Sequence, residues 1–113
     1  MPLSYKILAQ ATTLNSNAEV TLFTVGSGKS VSISSIIVTN TSSSNKTYRV
    51  AILPASEASG SVSAKHYIAF DASLSANQTT EIRGGITLAA GDVVRIYGST
   101  NDIAISAYGV EIS

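Results

Sequence analysis

The feature that most constrains the fold of this chain is a repeated alternation of apolar and hydroxyl-bearing residues within short segments. It is clearest in residues 30–40, SVSISSIIVTN, where Val and Ile alternate with Ser. A period of two residues is typical of a β-strand with one buried face. Comparable segments recur at intervals of about ten residues, with Gly, Ser and Asn between them. They predict eight strands, at residues 5–10, 19–25, 30–40, 47–53, 65–70, 80–83, 93–97 and 103–112.

The same alternation indicates how the strands are assembled. Strands covered on both faces would have continuous apolar runs, so the pattern favours antiparallel sheets with one buried face. In the longest strand the apolar parity changes at Ser34–Ser35, which predicts a β-bulge. Gly84–Gly85 is expected to end the sixth strand, and residues 86–92, ITLAAGD, are the one place where a single helical turn fits. We therefore expect an all-β fold, an antiparallel β-sandwich of jelly-roll or immunoglobulin-like type with about eight strands.

The length and charge of the chain limit its organisation and its partners. With 113 residues we expect a single domain over 1–113, in which 1–12 forms either a strand or an extended N-terminal arm. Seven basic and seven acidic residues cancel, and because no basic stripe is present we expect no nucleic-acid partner. The chain lacks a charged leader and any apolar run of about 18 residues, so we expect synthesis in the cytoplasm and no membrane association.

One short motif, VGSGKS at residues 25–30, looks like a phosphate-binding loop. The full motif is G-x-x-x-x-G-K-[S/T], and with Gly28-Lys29-Ser30 as its end the first glycine should stand at position 23, which is Phe23. A functional loop is also followed by a helix whose N-terminus holds the phosphates, whereas SVSISSIIV is strand-like. We therefore expect Gly26 and Gly28 to supply positive φ angles in a turn between two strands.

No other pattern in the sequence indicates a reaction. His66 is the only histidine and cysteine is absent, so neither a metal site nor a disulfide is expected, and a strand histidine here is more often packed or solvated. No G-x-S-x-G elbow presents a serine nucleophile. We expect no catalytic, cofactor-binding or metal-binding residues, and hence no enzyme.

The surface is the part of the chain from which function is expected. Residues 54–64, PASEASGSVSA, form the longest predicted loop, small and polar, of the kind that often makes variable contacts. The N-terminal segment LSYKILAQ either completes a sheet of its own chain or adds to the exposed edge of a neighbour. The candidate interface residues are Tyr5, Lys6, Ile7, Glu57, Lys65 and Tyr67.

Two long stretches of the chain resemble a group of small structural proteins of tailed bacteriophages, cyanophages among them. The stretches are TLFTVGSGKSVSISSIIVTN at 21–40 and KHYIAF through GVEI at 65–112. Members of that group typically show LYTVPAGK, KHYL, GITLAAGDVV and a terminal FGSEIT-like end. This chain keeps KHYI, the whole of GITLAAGDVV and the end YGVEIS, but has Gly26-Ser27 where the group has Pro-Ala.

The resemblance implies a virion component present in many copies, with no catalytic residues. The leading hypothesis is a capsid decoration or cement protein on the capsid exterior, a homo-oligomer and specifically a trimer, that binds the major capsid protein. The alternative is a tail, baseplate or fibre module that binds a host receptor or neighbouring tail proteins, and a neck or connector ring is a third hypothesis. The lack of Trp weakens the receptor hypothesis, because sugar sites usually use aromatic platforms.

Overall fold

The structure, a computed structural model, describes residues 3–15 and 18–113. Within these residues the chain forms eight strands and two 3-10 turns, Ala55–Glu57 and Ala64–His66, both between the fourth and fifth strands. The strands are β1 (Leu3–Thr12), β2 (Val20–Thr24), β3 (Ser30–Asn40), β4 (Lys46–Leu53), β5 (Tyr67–Leu74), β6 (Thr79–Leu88), β7 (Val93–Gly98) and β8 (Ile103–Ile112).

The strands lie in two four-stranded antiparallel sheets with the orders β1-β8-β3-β6 and β2-β7-β4-β5. The first strand pairs with the last, the second with the seventh, the third with the sixth and the fourth with the fifth. This nested pairing is what a long hairpin produces when it rolls up into two sheets, the jelly-roll arrangement. The predicted all-β sandwich is therefore confirmed. In an immunoglobulin-like sandwich the first two strands would lie in the same sheet, so the observed order is that of a jelly roll.

The hydrophobic core lies between the two sheets and is built from the inward side chains predicted by the alternation. In β3 these are Ile33, Ile36 and Val38, which are fully buried. The facing sheet contributes Val50 of β4 and Ile96 of β7, also fully buried. Burial of each such side chain stabilises the fold by about 1.5–3 kcal/mol relative to its exposure to water.

The predicted bulge in β3 is present, and it explains two glycines that were interpreted wrongly. The register of β3 shifts between Ile33 and Ser35 against both β6 and β8. On the β6 side Ile33 lies opposite Ile86 and Ser35 opposite Arg83, so Gly84–Gly85 fall within the irregularity. Their φ angles are +81° and +65°, a region that glycine enters at little cost. These glycines therefore let β6 continue through the bulge instead of ending it.

The predicted helical turn and the predicted start of the fifth strand are also wrong. Residues 86–88 complete β6 instead of beginning a helical turn. Lys65 and His66 belong to a 3-10 turn, and β5 begins only at Tyr67. The reason is local, because the His66 side chain accepts a hydrogen bond from the backbone of Ser63 and closes the turn. The N-terminal segment pairs with β8 of its own chain, with Tyr5 opposite Val110.

Candidate interaction surfaces

The VGSGKS motif forms the turn between β2 and β3. Gly28 has a φ of +75°, as predicted, but Gly26 is not in the positive-φ region. Lys29 Nζ lies 3.5 Å from Glu111 Oε1. The pKa of Glu111 is held below its ordinary value, mainly by a hydrogen bond from Lys6 and then by the charge of Lys29. The lysine of the motif thus faces a carboxylate of its own chain, and the segment that follows is strand β3.

Part of the outer face of the β2-β7-β4-β5 sheet, around β7, is covered by the connection from β4 to β5, residues 54–66, which we call the covering loop. Arg95 of β7 projects outward and is only 8% exposed. Its guanidinium donates to the backbone oxygens of Gly60, at 2.9 Å, and Ala58. It also lies 3.1 Å from a carboxylate oxygen of Glu19. Because these bonds hold the loop down, β7 is buried on both faces.

Tyr97 extends this network along β7. Its hydroxyl donates to Glu19 at 3.2 Å. Burial, and then the charge of Glu19, raise the pKa of Tyr97 well above its ordinary value. Tyr97 therefore stays neutral and acts as a hydrogen-bond donor at any physiological pH.

His66 joins the two 3-10 turns of the covering loop. It is buried, and its Nδ1 accepts a hydrogen bond from the Ser63 backbone N–H at 2.9 Å. The ring proton is therefore on Nε2, which donates to Glu57 Oε1 at 3.1 Å. Lys65 Nζ lies 2.8 Å from the same oxygen. The hydrogen bond from Lys65, followed by that from His66, lowers the pKa of Glu57.

A cluster of aromatic and charged side chains lies beside the covering loop, on β4 and β5. The Arg49 guanidinium lies 4.3 Å from the ring centre of Phe70 and bonds Asp71 through Nε at 2.6 Å. Tyr67 meets Phe70 edge to face, with ring centres 4.8 Å apart. Phe70 is nevertheless 57% exposed. The hydrogen bond from Arg49 lowers the pKa of Asp71, so the pair is ionised at neutral pH.

Asp71 has a φ of +47°, which is uncommon for a residue other than glycine. It lies where the register of β5 shifts against β4. The irregularity brings Asp71 to Arg49 and turns Phe70 outward, where it lines a shallow depression together with Ala64 and Tyr67. We call this partly charged patch of Arg49, Tyr67, Phe70 and Asp71 the aromatic surface.

A different kind of surface lies at the start of β1. Leu3, Tyr5 and Ile7 occupy alternate positions and are 55%, 78% and 54% exposed. They lie opposite Ile112, Val110 and Tyr108 of β8, in that order. Directly opposed residues of an antiparallel pair share one face of the sheet. The three exposed side chains of β1 and the three half-buried side chains of β8 thus form a strip on the outer face of the β1-β8-β3-β6 sheet, which we call the β1 strip.

The six predicted interface residues are thus divided among three places. Tyr5 and Ile7 lie in the β1 strip, while Lys6, on the other face of the strand, donates to Glu111 at 2.9 Å. Glu57 and Lys65 bind each other within the covering loop, and Tyr67 belongs to the aromatic surface. Their role in an interface stays a prediction.

Several residues of these surfaces were missed by the sequence analysis. Leu3 continues the alternation of Tyr5 and Ile7 by two residues, so the period alone could have included it. Arg49 and Phe70 lie on different strands, and only the pairing of β4 with β5 brings them together. Arg95 stands in an apolar strand, VVRIY, where a lone charge signals a partner outside the strand.

Two further features of the described residues concern metal binding and membrane insertion. Among residues 3–15 and 18–113, no three His, Asp or Glu side chains are grouped so that they could hold a metal ion. No helix in that same part of the chain has the length and hydrophobicity needed to span a bilayer.

Comparison with known proteins shows the fold of the chain but does not assign it to a family. No protein-family model matches the chain. No curated protein matches it in sequence.

Among solved structures, the chain is similar to chains of infectious bursal disease virus particles. It superposes on a chain of the T13 viral particle with a TM-score of 0.56 and 14% identity. For the VP2 subviral particle the TM-score is 0.54 with 16% identity, and for the Gx strain 0.52 with 18%. Each match covers 97% of this chain and 30–32% of the viral chain. The chain therefore spans about a third of the length of these structures, and the likeness shows a shared fold.

Proposed function

We propose that this chain is a non-enzymatic structural protein of a virus particle, which attaches to the outside of the capsid and stabilises it by protein–protein contacts. The observation that carries the proposal is the strand order, together with a superposition that covers 97% of the chain on viral capsid proteins. The resemblance of its sequence to structural proteins of tailed bacteriophages supports a tailed phage as the particle and the major capsid protein as the partner.

The surface chemistry fits binding better than catalysis. Charged residues make up only 12% of the chain, and the ionic groups described above are bound to one another. What remains exposed is a rigid sheet face with hydroxyl and apolar side chains, which is suited to a flat contact. A contact of about 800 Å² on each partner is modest alone, but repeated contacts reinforce one another over a shell.

The direct experiment is binding to capsids from which accessory proteins have been stripped. The purified chain is mixed with such capsids and sedimented, and co-sedimentation that saturates at hundreds of copies per particle is expected for a capsid-exterior protein. Failure to co-sediment overturns the proposal. Saturation at six to eighteen copies, the stoichiometry of tail or neck rings, overturns the position on the capsid.

The aromatic surface favours a second candidate, a tail or fibre module that binds a host receptor. Tyr67 and the exposed Phe70 offer ring faces of the kind on which sugars stack, with Arg49 and Asp71 beside them. In that case Phe70→Ala abolishes binding to host cells or their surface glycans, while Ile68→Ala, another exposed apolar residue of β5, does not. Equal binding by both variants would remove this candidate.

A further inference from the structure

The four edge strands of the two sheets differ in how they are protected against pairing with another chain. β2 has only five residues and a register shift between Thr21 and Phe23. β5 has two register shifts within eight residues. β6 carries the Gly84–Gly85 irregularity and the Arg83 side chain, which is 84% exposed. Short length, bulges and exposed charges are the usual means of blocking edge-to-edge association.

The start of β1 is less protected than these three edges. Leu3–Ile7 keeps a regular register against β8, and the shift comes only after Ile7. All five side chains are exposed. Lys6 is the one charged residue of the five, and its ammonium group is bound to Glu111 of the same chain. This five-residue edge is therefore open, regular and electrostatically balanced.

On the outer face of the β1-β8-β3-β6 sheet, the side chains at this edge are also the most apolar. Leu3, Tyr5 and Ile7 continue into the apolar side chains of β8. In the next strand, the residues in line with Ile112 and Val110 are Ser30 and Ser32. Apolar area is thus concentrated at the edge itself, where a strand added alongside β1 would extend it.

We propose that two copies of this chain pair antiparallel through their β1 strands about a two-fold axis at Tyr5. In this register Tyr5 faces Tyr5 of the second copy, Leu3 faces Ile7, and Ser4 faces Lys6. Every apolar residue of the edge then meets an apolar residue, and no like charges are opposed. The two β1-β8-β3-β6 sheets become one continuous eight-stranded sheet across the pair, with the β1 strips of the two copies joined.

Neighbouring registers are less favourable. A two-fold axis at Lys6 would place two ammonium groups opposite each other, which is destabilising. An axis at Ser4 would pair only Leu3, Ser4 and Tyr5 between the two copies and would carry Lys6 and Ile7 past Leu3 of the second copy, so that fewer residues of the segment Leu3–Ile7 are paired. The contact at Tyr5 is isologous, so it closes as a pair and does not propagate into a fibre.

The proposal goes beyond the proposed function and does not depend on the capsid, so it is tested with the purified full chain alone. Sedimentation equilibrium over a concentration series is expected to show a monomer–dimer equilibrium. Tyr5→Lys, which sets two like charges opposite each other, and Ile7→Lys are each expected to weaken association about tenfold or more. Ile68→Lys, at an exposed apolar site of the other sheet, is the matched control and is expected to leave association of the two copies unchanged.

Three results would overturn the proposed dimer. The first is a monomer at the highest soluble concentration, and the second is a trimer, which the sequence resemblance implies. The third is that Ile68→Lys weakens association as much as Tyr5→Lys and Ile7→Lys do. Circular dichroism establishes that each variant remains folded. Because capsid binding is measured separately, failure of the pair and failure of the capsid proposal are distinguishable.

The register has its own test, since the natural chain has no cysteine. Under mild oxidation, Tyr5→Cys is expected to form disulfide-linked dimers, because the two sulfur atoms lie opposite each other at the axis. A mixture of Leu3→Cys and Ile7→Cys is expected to form the mixed dimer. Cross-linking of Tyr5→Cys that is no faster than that of Ile68→Cys contradicts this register.

Discussion

The outer faces of the two sheets differ in how far the chain itself covers them. On the β2-β7-β4-β5 sheet the chain places its own covering loop, so that Arg95 and even Leu53 are almost completely withdrawn from water. On the β1-β8-β3-β6 sheet the start of β1 has no such cover, and Tyr5 is 78% exposed. Apolar area that a fold leaves exposed in a strip is typical of an interaction surface. The comparison indicates that the covered part of one outer face stabilises the fold, and it supports the proposal that the β1 strip on the other face takes part in association.

Replacement of a leucine by alanine on each of the two faces should give the largest difference in the free energy of unfolding. Leu53 is fully buried on the outer face at the start of the covering loop, opposite Val93, whereas Leu3 is 55% exposed. Leu53→Ala is expected to lower the free energy of unfolding by about 3 kcal/mol, through lost burial and a cavity. Leu3→Ala in dilute solution is expected to change it by less than about 0.5 kcal/mol. Urea unfolding measures both, and similar losses would contradict the assignment of the two faces.

Removal of the charge that holds the covering loop is expected to have the next largest effect. Arg95→Met deprives Ala58 and Gly60 of their donor and leaves Glu19 with the Tyr97 hydroxyl but without its cationic partner. A loss of about 2 kcal/mol is expected, since Glu19 is partly exposed and keeps part of its hydration. Limited proteolysis should then cut within residues 54–66.

The matched control for that change is Arg83→Met, at an arginine that is 84% exposed. It should alter the free energy of unfolding by less than about 0.5 kcal/mol and leave the proteolysis pattern as it was. Cleavage of the covering loop at equal rates in both variants would mean that Arg95 does not hold it.

Acidification should produce the smallest change in the free energy of unfolding, and it should weaken the ion pairs of Glu57 and Asp71. The folded-state pKa values of Glu57 and Asp71 lie below their ordinary values, because of Lys65 and Arg49 respectively. Carboxylates with lowered pKa values stabilise the fold at neutral pH, and this contribution is lost as the pH falls from about 4 through the folded-state values. The free energy of unfolding should therefore decline over that range.

The corresponding variants isolate that contribution. Glu57→Gln combined with Asp71→Asn should reduce the slope of stability against pH below about pH 4, because the linked protons are no longer taken up. Glu81→Gln, at a surface carboxylate on β6, serves as the control. A slope that is unchanged in the double variant would show that these two ion pairs do not stabilise the fold.

The strands were predictable from the sequence because their signal is local. The alternation in β3 and its change of parity at Ser34–Ser35 reflect which face of one strand is buried, and neighbouring residues carry that information. The same reasoning failed at Gly84–Gly85, where a glycine pair can end a strand or permit a bulge. Only the pairing with the partner strand decides between these two outcomes. Here Ile33 and Ser35 of β3 pair with Ile86 and Arg83, so the two glycines between them form a bulge.

The surfaces were less predictable because they depend on contacts between distant residues. The covering loop is held by Arg95, a residue more than thirty positions away from Gly60 and Ala58. Its small polar composition correctly predicted a loop but not the face on which it lies. Tyr5 and Ile7 could be singled out because an apolar alternation at one end of the chain is visible locally, and both side chains are exposed in the structure. Lys6 was not distinguished from them, since its bond to Glu111 follows from the pairing of β1 with β8.

The chain covers part of one outer face itself, and we propose that it leaves the start of β1 for another molecule. Hydrogen–deuterium exchange at low and high protein concentration measures this difference. The backbone amides of Leu3–Ile7 that are not bonded to β8 are expected to exchange rapidly in dilute protein and to slow as its concentration rises. The amides of β7, beneath the covering loop, are expected to stay protected and independent of concentration. Slowing at residues 54–66 with no change in β1 would contradict this proposal.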